Sequence, residues 1–504
     1  MKGRIVNASI LASLSAVVVV MWVVLVSVPK SSAIPAFSRK YQTSCTTCHN
    51  NYPELNDFGE AFKKNGFKFP KDDEVFVKEP PVLLGSKAQK EAFPGAVYPG
   101  EIPGYLPIAF RYEGNFNWNA KQPRPVQAAA FVPRTDLFVP NTFTIISTGS
   151  FGPNLSFWID DDISAGGTGA GGGLGDAWLK YSDLGHGIGL PKNALNVRFG
   201  QFEPDLPFSQ ARTYYLSGYD VFGEAIKAQN SCSGGAAVCQ TAINPFVLGT
   251  PQRGIEFGGT PNNGNFNWSV AYLDGTGSAY GSSSLGPSTL VTRNTKDVYL
   301  RASYKFNLER DPESRNAIQA AGPTGPRDHT SIRVGAFYYH GTNEQNFGSA
   351  TFAFTGTIQE PFYRAGGDIR FKYRKLELYG VGVTGHDDNH LVDTSNPLAP
   401  TITKTNAVTF TGGFIGSNYW IHPWLIATMR YDFVNSPSDL VNGISRYRTR
   451  NAFRPGYQIL VRANIKVVGE YQRHWEPGSY GTDVNGNPLF YRPNTFVSGI
   501  DYVF

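Results

Sequence analysis

The stretch Val298-Tyr-Leu-Arg-Ala-Ser-Tyr-Lys-Phe-Asn307 alternates apolar and polar side chains. One face carries Val, Leu, Ala, Tyr and Phe, and the other carries Tyr, Arg, Ser, Lys and Asn. Successive side chains of a β-strand point to opposite faces, so the pattern predicts a strand with one apolar face and one face that accommodates charge. A soluble β-sandwich has no need of Arg and Lys inside, so the pattern favours a barrel with lipid outside and a wet interior.

The same period recurs along the rest of the chain, at residues 195–200, 266–272 and 457–462. The last residues alternate as well, from Phe496 up to the terminal Phe504. This ending resembles the closing strand of bacterial outer-membrane proteins, and the alternative is an ordinary edge strand. The repeated alternation favours the membrane barrel.

The composition argues against an ordinary cytosolic enzyme and excludes a membrane protein built of several helices. Charged residues make up 17% of the 504 residues, below the roughly 25% of soluble domains, while aromatic residues reach 14%. Beyond residue 28, no apolar run approaches the roughly 20 residues of a membrane helix. The formal net charge of +5 is too small to point to a partner, and no nucleic-acid partner is predicted.

The barrel is predicted to occupy residues 105–504, in contact with outer-membrane lipid. Its links separate about 16 antiparallel strands, an even number that returns both ends of the barrel to the periplasm. We expect long outer links at 204–253 and 435–453, and an overlong periplasmic link at 308–330. The fold class is therefore mainly β, with a small α-helical segment before the barrel.

The N-terminus predicts export. Lys2 and Arg4 precede an apolar stretch, and Ser31-Ser32-Ala33 offers a cleavage site, so residues 1–33 are interpreted as a signal peptide. The apolar stretch also has the length of an uncleaved anchor. Both interpretations export the rest of the chain.

The sequence Cys45-Thr46-Thr47-Cys48-His49 is the attachment pattern of c-type haem. Its two thiols can bond the haem covalently, and the histidine can ligate the iron as the proximal ligand. A thioredoxin-like motif would need a βαβ context, and a zinc site would need two more ligands nearby. We therefore expect one covalent c-type haem, held by Cys45, Cys48 and His49.

Residues 34–78 form the predicted cytochrome segment. Pro53 is placed at the start of a helix that ends at Asn65-Gly66. Leu55, Phe58 and Phe62 would form an apolar stripe that covers either a haem face or protein. A segment of this size cannot bury a haem alone and needs shelter. A Pro-rich linker is predicted at residues 79–104.

The sequence does not identify the sixth iron ligand. No Met lies near the motif, and His49 is the only histidine there. The candidates are an external or absent ligand and the following side chains: Lys63, Lys64, Lys68, Tyr52, His340 and His474.

Two further groups of residues fall in predicted outer links. Cys232 and Cys239 are close in sequence without a following histidine, which predicts a structural disulfide. Their link, 204–253, is predicted either to fold into the lumen or to lie outside. The link after residue 385 contains His386, Asp387, Asp388 and His390. Their oxygen and nitrogen donors could bind iron or another divalent cation, and the alternative is that they are simply polar residues of a solvated loop.

Residues 35–70 also resemble a known family. The matching positions are Pro35 to Arg39, Thr43, Cys45, Cys48, His49, Pro53, Leu55, Phe58-Gly59, Phe62-Lys63 and Gly66. They resemble the fused outer-membrane monohaem cytochrome–porin family of iron-oxidising bacteria, although Arg39 to Ser44 departs from its pattern. The resemblance implies electron transfer from an extracellular donor, Fe(II), to a periplasmic carrier such as a soluble cytochrome.

Two other functions remain open. The chain could be a solute or ion porin whose cytochrome segment docks a redox partner. An exported haem enzyme, such as a peroxidase, would need a distal acid–base residue that the sequence does not supply near His49.

Overall fold

The computed structural model of the chain describes residues 36–69, 73–85, 87–95, 101–120, 134–152, 154–165, 174–210, 215–224, 226–227, 238–241, 243–244, 246–261, 264–275, 295–308, 330–347, 356–393, 395–396, 401–441, 444–475 and 493–504. The predicted signal peptide, residues 1–33, lies outside these ranges. None of the helices in the described part of the chain has the length and apolar character to cross a membrane.

Sixteen strands form a closed antiparallel barrel in which each strand pairs with its neighbours in sequence. They are β1 (Ile108–Asn119), β2 (Thr135–Phe151), β3 (Leu155–Ala165), β4 (Leu174–Tyr181), β5 (Asn196–Phe202), β6 (Gln252–Gly259), β7 (Phe266–Leu273), β8 (Asp297–Asn307), β9 (Ser331–Phe347), β10 (Gly356–Tyr373), β11 (Leu376–Asp387), β12 (Val408–His422), β13 (Leu425–Val441), β14 (Ile444–Arg462), β15 (Ile465–His474) and β16 (Thr495–Val503). The predicted architecture and strand number are confirmed.

The last strand closes the barrel against the first. β16 pairs with β1 from Thr495 opposite Asn119 to Val503 opposite Arg111. Closure leaves no strand edge with unpaired backbone groups, which is the condition for crossing lipid with strands. The predicted role of the C-terminal stretch is therefore confirmed.

Side-chain burial in β8 is reversed relative to a soluble sheet. Tyr299 and Arg301 face inward and are buried, whereas Leu300 and Phe306 are 41% and 49% exposed on the outside. Apolar side chains turned outward around a closed barrel suit a lipid environment. The protein is therefore an outer-membrane type of barrel, as the alternation predicts.

The predicted long link at 435–453 is wrong. β13 and β14 continue their pairing as far as Val441 opposite Ile444. Residues 436–439 are Ser, Pro, Ser and Asp, so the apolar–polar alternation is lost there while the two strands go on pairing. The hydrophobic pattern identifies only the part of a strand that meets lipid.

The N-terminal segment is mostly short elements. Its helices are α1 (Ala36–Tyr41), α2 (Asp57–Lys64), α3 (Asp73–Phe76) and α4 (Lys87–Ala92), with a 3-10 turn at Cys45–Thr47. The predicted helix start at Pro53 is wrong, because His49–Asn51 pairs with Glu54–Leu55 as a small hairpin. α2 starts later because Asn56 caps it, accepting a 2.8 Å hydrogen bond from the Gly59 N–H.

The predicted linker contains local structure. Val82–Leu83 pairs with Glu101–Ile102, and α4 lies between them. The structured pair brings the two ends of the segment together, which a freely extended Pro-rich spacer would not do.

Short elements also occur in the outer links. They are a 3-10 turn at Asp220–Gly223 and strands at Ile226–Lys227, Val238–Gln240, Ile243–Asn244, His390–Asp393 and Thr401–Lys404. A further 3-10 turn, at His186–Ile188, lies in the link between β4 and β5, on the same side of the barrel as the short turns. Val238–Gln240, His390–Asp393 and Thr401–Lys404 form a three-stranded sheet. This sheet joins the link after β5 to the link after β11.

Candidate functional site

Residues 36–69 and 73–78, here called the plug, lie inside the barrel. Arg370 of β10 donates a 2.7 Å hydrogen bond to Glu54, and Lys466 of β15 donates one of 2.7 Å to the Tyr52 carbonyl. On the other side of the barrel, Lys180 of β4 donates to the carbonyl of Lys64. Contacts with strands all around the wall place the plug in the lumen.

The plug occupies one end of the lumen. Its contacts fall at strand ends that adjoin short turns, including Lys68 to the Gly152 carbonyl at 2.5 Å and Arg39 to the Ile108 carbonyl at 2.7 Å. Short turns are periplasmic in barrels of this type. The plug therefore lies in the periplasmic half of the lumen, and the wall supplies the shelter that its small size demands.

An aromatic cluster holds the plug together. Phe62 is buried, and its ring centroid lies 5.0 Å from that of Phe37 and 5.7 Å from that of Tyr41. Phe58 packs edge-on against Phe69 at 5.0 Å. The predicted apolar stripe therefore packs largely on protein, and Leu55 lies in the hairpin rather than in the helix.

The C-x-x-C-H motif, Cys45 to His49, is exposed to an internal cavity. Cys45 and Cys48 carry free thiols and both line the cavity. The 3-10 turn between them brings the Cys48 N–H within 3.1 Å of the Cys45 carbonyl. Burial raises the pKa of the Cys48 thiol to about 12, with a further contribution from Cys45. Both sulfurs are therefore neutral thiols on one wall of one space.

His49 is oriented by backbone carbonyls. Its Nδ1 lies 3.2 Å from the Pro53 carbonyl oxygen and 3.3 Å from that of Glu54. Donation from Nδ1 leaves Nε2 to act as a ligand, the arrangement that metal-binding histidines commonly use. Burial lowers the pKa of His49 to about 4, although the two backbone hydrogen bonds oppose this effect. The imidazole is therefore neutral at pH 7, the form that binds a metal.

Helix α2 packs directly on the motif. A Cβ atom at Gly59 would lie 2.0 Å from the Cys48 carbonyl oxygen and 2.9 Å from a methyl carbon of Leu55. Only the absence of a side chain permits this approach. Gly59 thereby fixes the position of Cys48 and His49 relative to the helix.

Residues 203–210 and 215–224, in the link after β5, fold into the lumen and are here called the inner loop. The Tyr215 hydroxyl contacts the Tyr379 hydroxyl of β11 and donates a 3.1 Å hydrogen bond to Asn418 of β12. Tyr219 stacks on Phe414 with centroids 4.3 Å apart. Of the two predicted positions for this link, the lumenal one is confirmed in the described residues.

Two buried arginines hold the inner loop. Arg430 of β13 and Arg454 of β14 donate to the Gly218 carbonyl at 2.7 and 3.0 Å. Arg430 also pairs with Asp432 at 2.7 Å, and Arg454 pairs with Asp220 at 2.8 Å. Each guanidinium thus has a carboxylate partner in the interior, which offsets the cost of burying its charge.

A cavity of about 800 Å³ lies between the plug, the inner loop and the wall. The haem motif and Phe62 face it from the plug, and Phe208 faces it from the inner loop. Much of the wall is charged, including Arg198, Arg301 and Asp368. Two thiols, an oriented imidazole and aromatic side chains around one space fit a covalently held porphyrin.

Only some of the candidate sixth ligands lie at the cavity. Lys63, Lys64 and Tyr52 line the cavity. His340 is exposed on the outer face of β9, next to the inward Tyr339. The other two are held elsewhere, since Lys68 bonds Gly152 and His474 Nδ1 contacts the Pro493 carbonyl at 2.9 Å.

The predicted cation site in the outer link is not formed by its four residues. Asp387 pairs with Arg364 at 2.6 Å, and His390 contacts Glu360 at 2.9 Å. His386 contacts Asp388, which also binds Lys404. Within the described ranges, no group of three or more His, Cys, Asp or Glu is placed to hold a metal ion. The donors fail to converge because strand alternation and local ion pairs direct them apart.

Cys239 is disulfide-bonded, and its predicted partner, Cys232, lies outside the described residues. Sequence reasoning missed the wall residues of the site, such as Arg370, Arg430 and Lys466. Their signal is present in the sequence, since each occupies a polar position in an alternating strand and is therefore directed inward.

No family model and no curated protein matches the chain. Its barrel is similar to several solved porins. Salmonella typhi OmpF, in complex with daunomycin, is 10% identical with a TM-score of 0.47, covering 79% of this chain and 98% of that one. OprB of Pseudomonas putida is 11% identical with a TM-score of 0.47, covering 79% and 94%. The anion-selective porin from Comamonas acidovorans is 13% identical with a TM-score of 0.43, covering 79% and 98%. The likeness concerns the porin-like barrel fold alone.

Proposed function

We propose that this barrel carries one c-type haem on its plug and passes electrons through the lumen. The observation that carries the proposal is the convergence of Cys45, Cys48 and His49 on one cavity inside the barrel. The hydrocarbon layer is about 30 Å thick and insulates. A redox group sheltered partway along the lumen would shorten the gap between carriers on the two sides.

Each residue has a distinct part in this proposal. Cys45 and Cys48 would bond the porphyrin, and His49 would ligate the iron through Nε2 while Nδ1 stays on the Pro53 carbonyl. When bound, the haem would supply one-electron exchange. Phe62 and Phe208 would restrict water around it. The proposed donor is extracellular Fe(II), and the proposed acceptor is a periplasmic carrier such as a soluble cytochrome.

The second candidate is a solute or ion porin with a docking segment for a redox partner. A cavity of about 800 Å³ with charged side chains on its wall favours it, since polar lumens conduct ions. The porin-like fold agrees with this candidate as well. Under it, the plug would regulate passage or bind a periplasmic protein.

The test compares the wild-type protein with Cys45→Ser/Cys48→Ser, and uses Thr46→Ala as a control that keeps the motif. Purified wild type and control should show covalent haem absorbance, and the double variant should show none. In liposomes, oxidation of external Fe(II) by an enclosed acceptor should require the motif. Wild type without covalent haem would refute the proposal, and retained haem without Fe(II) oxidation would refute the donor.

Planar-bilayer recordings separate the two candidates. A conduit whose plug stays in place should pass little ion current. A porin should pass a large, steady current whether or not haem is attached. Large conductance together with no electron transfer would establish the second candidate.

A further inference from the structure

One wall of the cavity concentrates positive charge. In the cluster beside Lys63 and Lys64 of α2, six cationic side chains meet four carboxylates: Lys63, Lys64, Lys180, Arg198, Arg301 and Arg333 against Glu60, Asp205, Glu256 and Asp368. This cluster therefore has an excess of two positive charges. Farther along β3 and β4, Asp160 and Asp176 also line the cavity. Both are occupied, since Asp160 accepts from Trp158 Nε1 and the Asp176 N–H, both at 2.7 Å, and Asp176 accepts from the Glu203 N–H at 2.9 Å.

Ion pairs account for four of the six cations. Arg301 pairs with Asp368 at 2.8 Å, and Arg198 pairs with Glu256 at 2.8 Å. Glu60 lies 3.7 Å from Lys64 and 3.9 Å from Arg333. Arg301, Arg198, Lys64 and Arg333 are therefore the cations of the cluster that have a carboxylate partner.

Lys63 and Lys180 remain without a carboxylate partner among the described residues. Lys180 donates only to the Lys64 backbone carbonyl, at 3.1 Å, and Lys63 is exposed to the cavity. Burial and the neighbouring Arg333 and Lys63 lower the pKa of Lys64 to about 8, against the attraction of Glu60. An anionic group in the cavity would relieve this repulsion.

The cluster lies close to the haem-attachment motif. Lys63 follows Gly59 by four residues, which is about 6 Å along α2, and Gly59 contacts the backbone of Cys48. A molecule attached at the cysteines and lying along α2 would therefore extend toward the lysines. Two unpaired ammonium groups match two carboxylate groups in charge.

We propose that Lys63 and Lys180 form a carboxylate-binding site for the occupant of this cavity. The carboxylates belong either to the two haem propionates, in which case the inference rests on the proposed function, or to a free dicarboxylate that enters the lumen. Arg198, on the strand next to Lys180, flanks the site.

The holoprotein arm uses Lys63→Gln, Lys180→Gln and the double variant. Lys305→Gln is the matched control, because Lys305 is a lumenal cation in a separate small hollow beside Glu60 and Arg333. The propionate bending bands in resonance Raman spectra should shift in the lysine variants and not in the control. The haem midpoint potential should fall, since removing a cation favours the oxidised iron.

The haem-free arm uses Cys45→Ser/Cys48→Ser titrated calorimetrically with succinate. Binding that weakens about tenfold or more with each added lysine substitution would assign the site to free dicarboxylates. Wild type that lacks haem but shows this succinate pattern would refute the proposed function while supporting the site.

Two results would overturn the inference. One is a haem-loaded protein whose Raman bands and potential do not respond to either lysine, combined with no succinate binding in the haem-free protein. The other is loss of low-spin absorption bands in Lys63→Gln, which would make Lys63 an iron ligand rather than a carboxylate partner.

Discussion

Arg370, on the inner wall of β10, donates a 2.7 Å hydrogen bond to Glu54 of the plug, although 316 residues separate the two in sequence. Its guanidinium also lies 2.7 Å from Glu377 of β11. Both carboxylates are buried, at 5% and 1% side-chain exposure. This arginine therefore joins the plug to the barrel at a place with little access to water.

Replacing Arg370 with Ala should loosen the plug. Removing one partner of a buried ion pair costs roughly 3–5 kcal/mol, because the remaining charge stays uncompensated. Single-channel recordings should therefore show larger and noisier ion current than in the wild type. Arg462→Ala removes an exposed cation near a turn and is the control. Identical conductance in both variants would contradict an anchoring role for Arg370.

Gly59→Ala should displace α2 from the haem-attachment motif. The new Cβ would meet backbone at 2.0 Å, and this clash cannot be relieved by a side-chain rotation. Forced overpacking costs about 1–3 kcal/mol. Limited proteolysis should then cut the plug faster while the barrel stays intact. The control is Gly95→Ala, because nothing lies within 4 Å of a Cβ at that position, and equal cleavage of the two variants would refute the packing argument.

Arg430→Ala should destabilise the inner loop and the barrel interior. Asp432 would be left buried with its main partner removed, at a cost of roughly 3–5 kcal/mol. The double variant Arg430→Met/Asp432→Leu removes both charges and should recover most of the loss. Heat-dependent electrophoretic mobility in detergent measures the effect. A double variant that unfolds at the same temperature as the single one would rule out the uncompensated-charge explanation.

The docked plug should weaken in acid through Glu60. Burial alone would raise the pKa of this carboxyl, but Lys64, Arg333, Lys63 and Arg370 lower it from 4.5 to about 2. Between pH 2 and pH 4.5, Glu60 therefore binds more protons in the undocked plug than in the docked plug. The contribution to docking is therefore present above about pH 4.5 and is lost as the pH falls toward 2.

Pepsin digestion across this pH range measures the effect. The wild-type plug should become more susceptible as the pH falls, while Glu60→Gln should be susceptible throughout with a flatter dependence. An equally steep profile in both proteins would assign the acid response to another group.

Most of the barrel could be predicted because its signals are local, and the C-x-x-C-H pattern is recognised locally in the same way. Leu300 and Arg301 are neighbours in sequence, and their opposite polarity is enough to identify the two faces of a strand. Cys45, Cys48 and His49 lie within five consecutive residues. The start of α2 could not be predicted in the same way. Pro53 satisfies the local rules for a helix start, but pairing of His49 with Leu55 competes with them and Asn56 supplies the actual cap.

The sequence by itself determined a barrel of about 16 strands with lipid outside, since a period of two residues assigns each side chain to lipid or lumen and the links between the alternating stretches count the strands. Only the tertiary structure decided what fills the lumen. Glu54 meets Arg370 and Lys63 faces the cavity shared with Lys180 because barrel closure brings distant strands around one space. The outer-link donors from His386 to His390 were separated for the same reason, since partners such as Arg364 and Glu360 come from other strands.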